Sequence, residues 1–176
     1  MSESTQTRKS RLANDYREIM SMVGPVMSVR PLSGIPPYVD EYEFTFHIRS
    51  IIGPEPTYRG VHVVRISLPA GYPTSDLPKT IMVTKPYPYH TNWFRSGSLC
   101  HGSSSHNTEG LGNYVVRIMQ VLAFQPAIID TDSAANLDAA NWYNQHKHIR
   151  GLFPSDNVKI PQPSVGGMVI KKVNKY

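Results

Sequence analysis

Hydrophobic residues recur with a helical period near the start of the chain. Within residues 7–23 the apolar positions fall at i, i+4, i+7, i+8 and i+11, which is one face of a 3.6-residue period. These positions are Leu12, Tyr16, Ile19, Met20 and Val23. Four basic residues lie off this stripe and are expected to face solvent, namely Arg8, Lys9, Arg11 and Arg17. Gly24 and Pro25 end the predicted helix.

The period then changes from helical to two. Residues 42–49 alternate strictly between apolar and polar, which predicts a strand with one buried face. A second strand is predicted over 61–68 and a short third strand over 81–84. Residues 30–39, rich in Pro and Gly, are predicted to be a connection, preceded by a short strand at 26–29. Short turns between the strands predict an antiparallel meander.

Helical spacing returns in the last third of the chain. The stretch 87–112 has no periodic pattern, and long structureless stretches in compact domains tend to be functional. Asn113 is the predicted N-cap of a second helix, whose core positions are Val115, Ile118, Met119 and Leu122. Asp130-Thr131-Asp132-Ser133 is predicted to cap a third helix over residues 134–148.

This order predicts an α+β fold, with helices packed on one face and at the ends of an antiparallel sheet. Residues 1–151 are predicted to form a single core domain. Residues 152–176 contain several Pro and Gly residues and are predicted to be an extended tail.

Composition indicates a soluble globular protein. The chain has 176 residues, of which 40% are hydrophobic and 18% charged. Met1–Ser10 is polar and no apolar run is long enough to span a bilayer, so we expect a cytoplasmic protein without a membrane partner. The net charge of +5 comes from basic residues near both ends, including Lys171, Lys172 and Lys175. Dense basic runs interleaved with aromatics are missing, so we expect an acidic protein partner and no nucleic acid.

The aperiodic stretch contains the single cysteine, Cys100, among turn-forming residues. One cysteine cannot form an intramolecular disulfide, and a thiol in a loop can be both exposed and reactive. Asn92 lies eight residues upstream and is preceded by His90 and Thr91. The sequence alone leaves open whether Cys100 is a reactive or a structural thiol.

Four short motifs, in order, resemble those of the catalytic core of ubiquitin-conjugating enzymes. Residues 53–60 contain Gly-Pro followed by Tyr-Arg-Gly, and residues 68–73 read Leu-Pro-Ala-Gly-Tyr-Pro, similar to the family's Phe-Pro-x-x-Tyr-Pro. His-Thr-Asn at 90–92 resembles the family's His-Pro-Asn, and Gly-Ser-Leu-Cys at 97–100 resembles its Gly-x-Ile-Cys. The spacing from asparagine to cysteine is the same, and the resemblance extends over about residues 42–143.

Three features depart from the family pattern. Thr91 replaces the motif's proline, and the tryptophan found after the cysteine has no counterpart near Leu111. Thr-Ser-Asp-Leu-Pro at 74–78 replaces a proline-rich turn, which argues against docking of a RING-type ligase there. With these departures the chain resembles the divergent enzymes encoded in bacterial ubiquitin-like operons, several of which serve antiphage defence.

The resemblance implies a role for each candidate residue. Cys100 would carry a ubiquitin-like modifier as a thioester, because a thiolate is a good nucleophile and its thioester remains activated. Asn92 would stabilise the oxyanion or brace the loop. His90 would be structural, with its ring bonded to local backbone, or an acid or base. Asp130 or Asp132 would orient the acceptor amine, unless either is only a helix cap.

The resemblance also implies partners: a ubiquitin-like modifier, a target protein, and an activating enzyme docked on the first helix through Lys9, Arg11 and Arg17. No cofactor or metal is implied.

Three other functions remain open on the sequence. Cys100, Asn92 and one of His90, His101 or His106 could form the active site of a cysteine hydrolase. The same cysteine and histidines could bind zinc, although the sequence has neither a Cys-x-x-Cys pair nor a helical His pair. A non-catalytic variant of the fold could bind ubiquitin-like proteins without chemistry.

Overall fold

The computed structural model describes residues 3–100, 109–156 and 158–164. Three α-helices are present in these residues: α1 (Glu3–Met22), α2 (Leu111–Leu122) and α3 (Leu137–His146). The strands are β1 (Met27–Ile35), β2 (Tyr38–Phe46), β3 (Ser50–Gly53), β4 (Thr57–Arg59), β5 (His62–Ser67) and β6 (Lys79–Met82). None of the helices in the described ranges is long and apolar enough to cross a membrane. The basic residues near the end of the chain, Lys171, Lys172 and Lys175, lie outside the described residues.

An antiparallel sheet in the order β1-β2-β5-β6 forms the centre of the fold, and β3 and β4 form a separate two-stranded ribbon. Phe44 of β2 lies opposite Val64 of β5, which lies opposite Met82 of β6. All three side chains are buried, as the alternation of apolar and polar residues predicts. The predicted α+β arrangement is therefore confirmed: N-terminal helix, antiparallel sheet, then C-terminal helices.

The predicted connection over residues 30–39 is wrong. β1 continues to Ile35 and pairs with β2 along its length, with the register shifting beside Pro31 and again at Gly34. Gly34 has a positive φ of 88°, and a Cβ at this position would overlap the backbone of Tyr38. Proline and glycine at these positions therefore mark an irregular hairpin at the edge of the sheet, where a missing N–H is tolerated.

The predicted buried face of α1 is partly wrong. Leu12 and Ile19 are buried, but Met20 and Val23 are exposed. Their predicted places on the buried face are taken by Met22 and by the carboxylate of Asp15, which is 1% exposed. Because the polar Asp15 lies on the buried face, the positions of the apolar residues alone do not locate that face correctly.

Two of the four basic residues of α1 do not face solvent freely. The Arg8 guanidinium donates to the backbone oxygens of Leu68, Pro69 and Tyr72, at 3.1, 2.7 and 2.9 Å. Arg11 donates through Nε to Asp15 Oδ1 at 2.9 Å and also donates to the Glu109 carbonyl oxygen. Lys9 and Arg17 are exposed, as predicted. Arg8 and Arg11 therefore attach α1 to the rest of the domain.

Helix α2 begins earlier than predicted because its N-terminus is capped by α1. The N-cap residue is Gly110 rather than Asn113, and it has no side chain with which to cap. Asp15 Oδ1 accepts from Leu111 N at 3.0 Å, and Glu18 Oε2 accepts from Gly112 N at 2.9 Å. A Cβ at Gly110 would overlap the Glu18 carboxylate, so glycine permits this close approach. Two carboxylates of α1 thus bind the free N–H groups of α2.

A second apolar cluster lies beside α3. It contains Ile51, Phe124 and Trp142, with Leu152 and Phe153 packed against them. Further along, Val158 and Ile160 pack against the main core. Of the predicted tail, Leu152, Phe153, Val158 and Ile160 are therefore in contact with the domain.

Candidate functional site

The segment leading to Cys100 is attached to the edge of the sheet. Met82 N donates to Gly97 O at 2.8 Å, and Leu99 N donates to Thr80 O at 3.3 Å. These bonds, together with the antiparallel bridge between Ile81 and Ser98, place residues 97–99 beside β6. Cys100 follows directly, so its backbone position is set by the sheet.

Asn92 lies opposite Cys100. Cys100 N donates to Asn92 O at 2.8 Å, and the neighbouring Trp93 and Leu99 form an antiparallel bridge. Trp93 is fully buried, and its indole Nε1 donates to Gly97 O at 3.0 Å. The Cys100 side chain is half-buried and is not part of a disulfide. The structure thus brings together the asparagine and the cysteine that are eight residues apart in the sequence.

The Asn92 side chain connects this segment to the residues before α3. Its Nδ2 donates to Ile128 O at 3.2 Å, and its Oδ1 is buried without a hydrogen-bond partner. An amide nitrogen has two hydrogens, so one remains for another acceptor. The amide therefore braces the loop and keeps a donor that an oxyanion could use.

His90 is fully buried and supports the turn that carries Asn92. Its Nδ1 accepts from Asn92 N at 3.0 Å, which leaves the proton of the neutral ring on Nε2. The ring lies edge-on to Phe124, with 4.5 Å between ring centroids. Burial lowers the pKa of His90 to about 3, so the ring is neutral at physiological pH. A buried, neutral ring with one nitrogen already bonded is poorly suited to exchange protons with a substrate.

The predicted capping of α3 by Asp130 or Asp132 is wrong. Helix α3 begins at Leu137, and Asn136 caps it by accepting from Ala139 N at 3.2 Å through Oδ1. Asp130 Oδ1 instead accepts from the N–H groups of Asp132 and Ser133, at 2.9 and 3.2 Å. The Asp130 carboxylate therefore closes a local turn of its own.

The two aspartates differ in what their carboxylates contact. Both residues are exposed, but the Asp130 carboxylate is engaged in its turn, whereas the Asp132 carboxylate makes no hydrogen bond or ion pair with the described residues. Thr91 Oγ1 donates to Asp130 O at 2.9 Å, which attaches this turn to the residue before Asn92. Cys100, Asn92 and the turn carrying both aspartates are thereby linked through hydrogen bonds.

His101 and His106 lie outside the described residues. No group of three or more His, Cys, Asp or Glu side chains suited to a metal ion occurs where the structure is described. The sequence did not single out Thr91 as a functional residue, although its departure from the family motif marks the position.

These features define an α+β protein with a half-buried cysteine at a sheet edge, whose backbone is bonded to that of an asparagine. Comparison with solved structures shows that the fold is that of the ubiquitin-conjugating enzymes. Neither a family model nor a curated protein matches the sequence.

Three solved structures illustrate the likeness. S. cerevisiae Ubc12 is 17% identical, with a TM-score of 0.54 over 78% of this chain and 71% of that one. The ubiquitin-conjugating enzyme UbcA1 from Agrocybe aegerita is 22% identical, with a TM-score of 0.50 over 66% of this chain and 82% of that one. A structure described as a novel ubiquitin-conjugating enzyme is 16% identical, with a TM-score of 0.53 over 84% of this chain and 93% of that one. At these identities the likeness concerns the fold.

The buried histidines predict a loss of stability in mild acid. Burial lowers the pKa of His90 to about 3, and burial together with the Arg59 charge lowers that of His62 to about 4. In the unfolded chain a histidine titrates near ~6.5, so between these values only the unfolded chain binds the proton. The free energy of unfolding should therefore fall as pH decreases below about 6.5, by roughly 1.4 kcal/mol per pH unit for each histidine.

Urea unfolding measured at intervals from about pH 7 to about pH 5 checks this expectation. His90→Gln and His62→Gln should each reduce the slope of unfolding free energy against pH. His47→Gln, at an exposed site, should leave the slope unchanged. Equal slopes in all four proteins would contradict the assignment.

Proposed function

We propose that this protein is a ubiquitin-like-protein conjugating enzyme. The observation that carries the proposal is the fixed approach of Cys100 to Asn92, joined by the 2.8 Å backbone hydrogen bond, within the ubiquitin-conjugating fold. In this proposal Cys100 accepts a modifier from an activating enzyme and transfers it to an amine of a target protein.

The loading step exchanges one thioester for another. The Cys100 thiolate attacks the carbonyl carbon of the modifier's thioester on the activating enzyme, forming a new C–S bond. The old C–S bond breaks, and the cysteine of the activating enzyme leaves as a thiolate. Because both groups are thiols, this step has no acceptor amine to orient.

The discharge step forms an amide. The nitrogen of an unprotonated acceptor amine attacks the carbonyl carbon of the Cys100 thioester and forms a C–N bond. The C–S bond breaks with its electron pair on sulfur, Cys100 leaves as a thiolate, and the nitrogen releases one proton to solvent. Attack places negative charge on the carbonyl oxygen, which the free N–H of the Asn92 amide could stabilise. A lysine has a reference pKa near ~10.4, so correct orientation of its scarce neutral form matters.

Asp132 is the better of the two candidates for orienting this amine. Its exposed carboxylate has no hydrogen bond or ion pair within the described part of the chain, whereas the Asp130 carboxylate holds the turn. Asp130 is accordingly a structural residue in this proposal, and His90 supports the backbone of Asn92 without acting as an acid or base.

The cysteine hydrolase is less well supported, because the described candidate for its histidine, His90, is buried and already bonded. The bacterial operon context, with its link to antiphage defence, remains part of the proposal. An adjacent gene for an activating enzyme and one for a ubiquitin-like protein would support it and would supply the reagents for the experiments below.

Cys100 should form a thioester with the C-terminus of such a modifier. Incubation with the activating enzyme, the modifier and ATP should give an adduct on a non-reducing gel that disappears when thiol reductant is added. Cys100→Ala should form no adduct, and Cys100→Ser should form an ester more slowly. An adduct that persists in Cys100→Ala would refute the assignment, and a protein that never loads would favour the non-catalytic binding variant.

Removal of the Asp132 carboxylate should slow discharge and spare loading. Asp132→Asn should reduce the single-turnover rate of discharge to free lysine by on the order of tenfold, because the amine loses its orienting partner. Asn92→Ala should also slow discharge, through the oxyanion. Asp130→Ala should mainly reduce stability, by about 1–2 kcal/mol, because two N–H groups lose their acceptor.

Asp138→Asn removes an exposed carboxylate of α3, which is ion-paired with Arg95, and serves as the control for charge. If Asp132→Asn and Asn92→Ala both discharge the thioester at the wild-type rate, the roles proposed for these two residues are wrong, whatever the role of Cys100.

Docking of the activating enzyme is proposed to use the exposed basic residues of α1. Arg11 no longer belongs to this set because it binds Asp15 and Glu109. The Lys9→Glu/Arg17→Glu variant should therefore slow loading at low salt and leave discharge of preformed thioester unchanged. Lys147→Glu/Arg150→Glu makes the same change in net charge at other exposed sites. Equal loading by both double variants would count against docking on α1.

A further inference from the structure

Thr91 binds both ends of the segment that carries the two aspartates. It is 2% exposed, and its Oγ1 donates to Asp130 O at 2.9 Å. Its own carbonyl oxygen accepts from Ala135 N at 2.8 Å and from Asn136 N at 3.2 Å. One residue therefore makes three hydrogen bonds that span residues 130–136.

The hydroxyl bond differs in kind from the two backbone bonds. Any residue at position 91 could accept from Ala135 and Asn136 through its carbonyl oxygen, but only a side-chain donor can reach the Asp130 carbonyl oxygen. Asp132 lies between these attachment points, within the turn that the Asp130 carboxylate closes. The hydroxyl therefore holds the turn at the end where Asp132 lies.

Thr91 is also next to the residue that is bonded to the Cys100 backbone. Asn92 accepts from Cys100 N through its carbonyl oxygen, at 2.8 Å. The path from the cysteine backbone to the Asp130 turn thus runs through Cys100, Asn92 and Thr91, by two buried or half-buried hydrogen bonds and one peptide bond. A shift at Thr91 would change the position of Asp132 relative to Cys100.

We propose that Thr91 is a positioning residue, whose hydroxyl sets the placement of Asp132 relative to the Cys100 thioester. This inference rests on the proposed function and deepens it, because it concerns the amine-accepting side of the same site. Thr91 acts through Asp132 and does not itself contact the reacting atoms. A proline at this position would have no hydroxyl to make the bond to Asp130.

Thr91→Val is the direct test, since it keeps the size and branching of the side chain and the backbone bonds but removes the hydroxyl. Discharge of the Cys100 thioester to free lysine should slow by on the order of tenfold. Loading should be unchanged, and so should discharge to a small thiol, which has no amine to orient. Thr91→Ser should restore most of the rate. Thr131→Val is the control, because it is the same substitution within the Asp130 turn itself, at a residue that makes no hydrogen bond to the residues that the structure describes.

A double-mutant cycle separates positioning from a general loss of structure. If Thr91 acts through Asp132, adding Thr91→Val to Asp132→Asn should cause no further loss of discharge rate. A general disturbance of the site would instead multiply the two effects and slow discharge to the thiol as well, and either result would overturn the inference.

The proposed function and the role of Thr91 can be refuted separately. If the wild-type protein never forms a thioester, the proposed function fails and this inference fails with it. If the wild-type protein loads and Asp132→Asn discharges slowly, while Thr91→Val discharges at the wild-type rate, the inference alone is wrong.

Discussion

The buried carboxylate of Asp15 holds three parts of the fold together. Tyr72 Oη donates to it at 2.6 Å, Leu111 N at 3.0 Å and Arg11 Nε at 2.9 Å. Burial raises the pKa of Asp15, and the three donors oppose that shift by favouring the charged form. Removing one partner of a buried charge pair typically costs about 3–5 kcal/mol, because the other is left uncompensated. The position of α1 and the start of α2 both depend on this carboxylate.

The same arrangement explains which structural features the sequence revealed. The strands of the sheet centre follow from strict alternation, because their period depends on one buried face and little else. The buried face of α1 was harder to predict because Asp15 occupies it, and a carboxylate is expected at the surface unless its partners are known. Leu111 and Tyr72 are distant from Asp15 in sequence, so nothing local identifies them as those partners. The start of α2 was misplaced for the same reason, because its caps come from another helix.

In the candidate site, too, some residues could be identified from the sequence and others could not. The motif spacing identified Cys100 and Asn92, which the structure brings together. Asp130 and Asp132 are the same residue type two positions apart, so no pattern could tell them apart. What separates them is the direction of one side chain, since the Asp130 carboxylate turns back to its own backbone. Such a choice depends on the local turn geometry, which side-chain chemistry alone does not specify.

Thr91 illustrates how a departure from a motif can preserve a constraint by another physical route. Proline fixes φ and restricts the residue before it, so it stiffens a turn through the backbone of its own segment. Threonine gives up that restriction but adds a hydroxyl, which here binds the carbonyl oxygen of Asp130, 39 residues further along the chain. A hydrogen bond to a second segment constrains the distance between two segments, which a proline ring cannot do. The threonine therefore constrains the gap between the segment that carries Asn92 and the Asp130 turn, whereas a proline would constrain only its own turn.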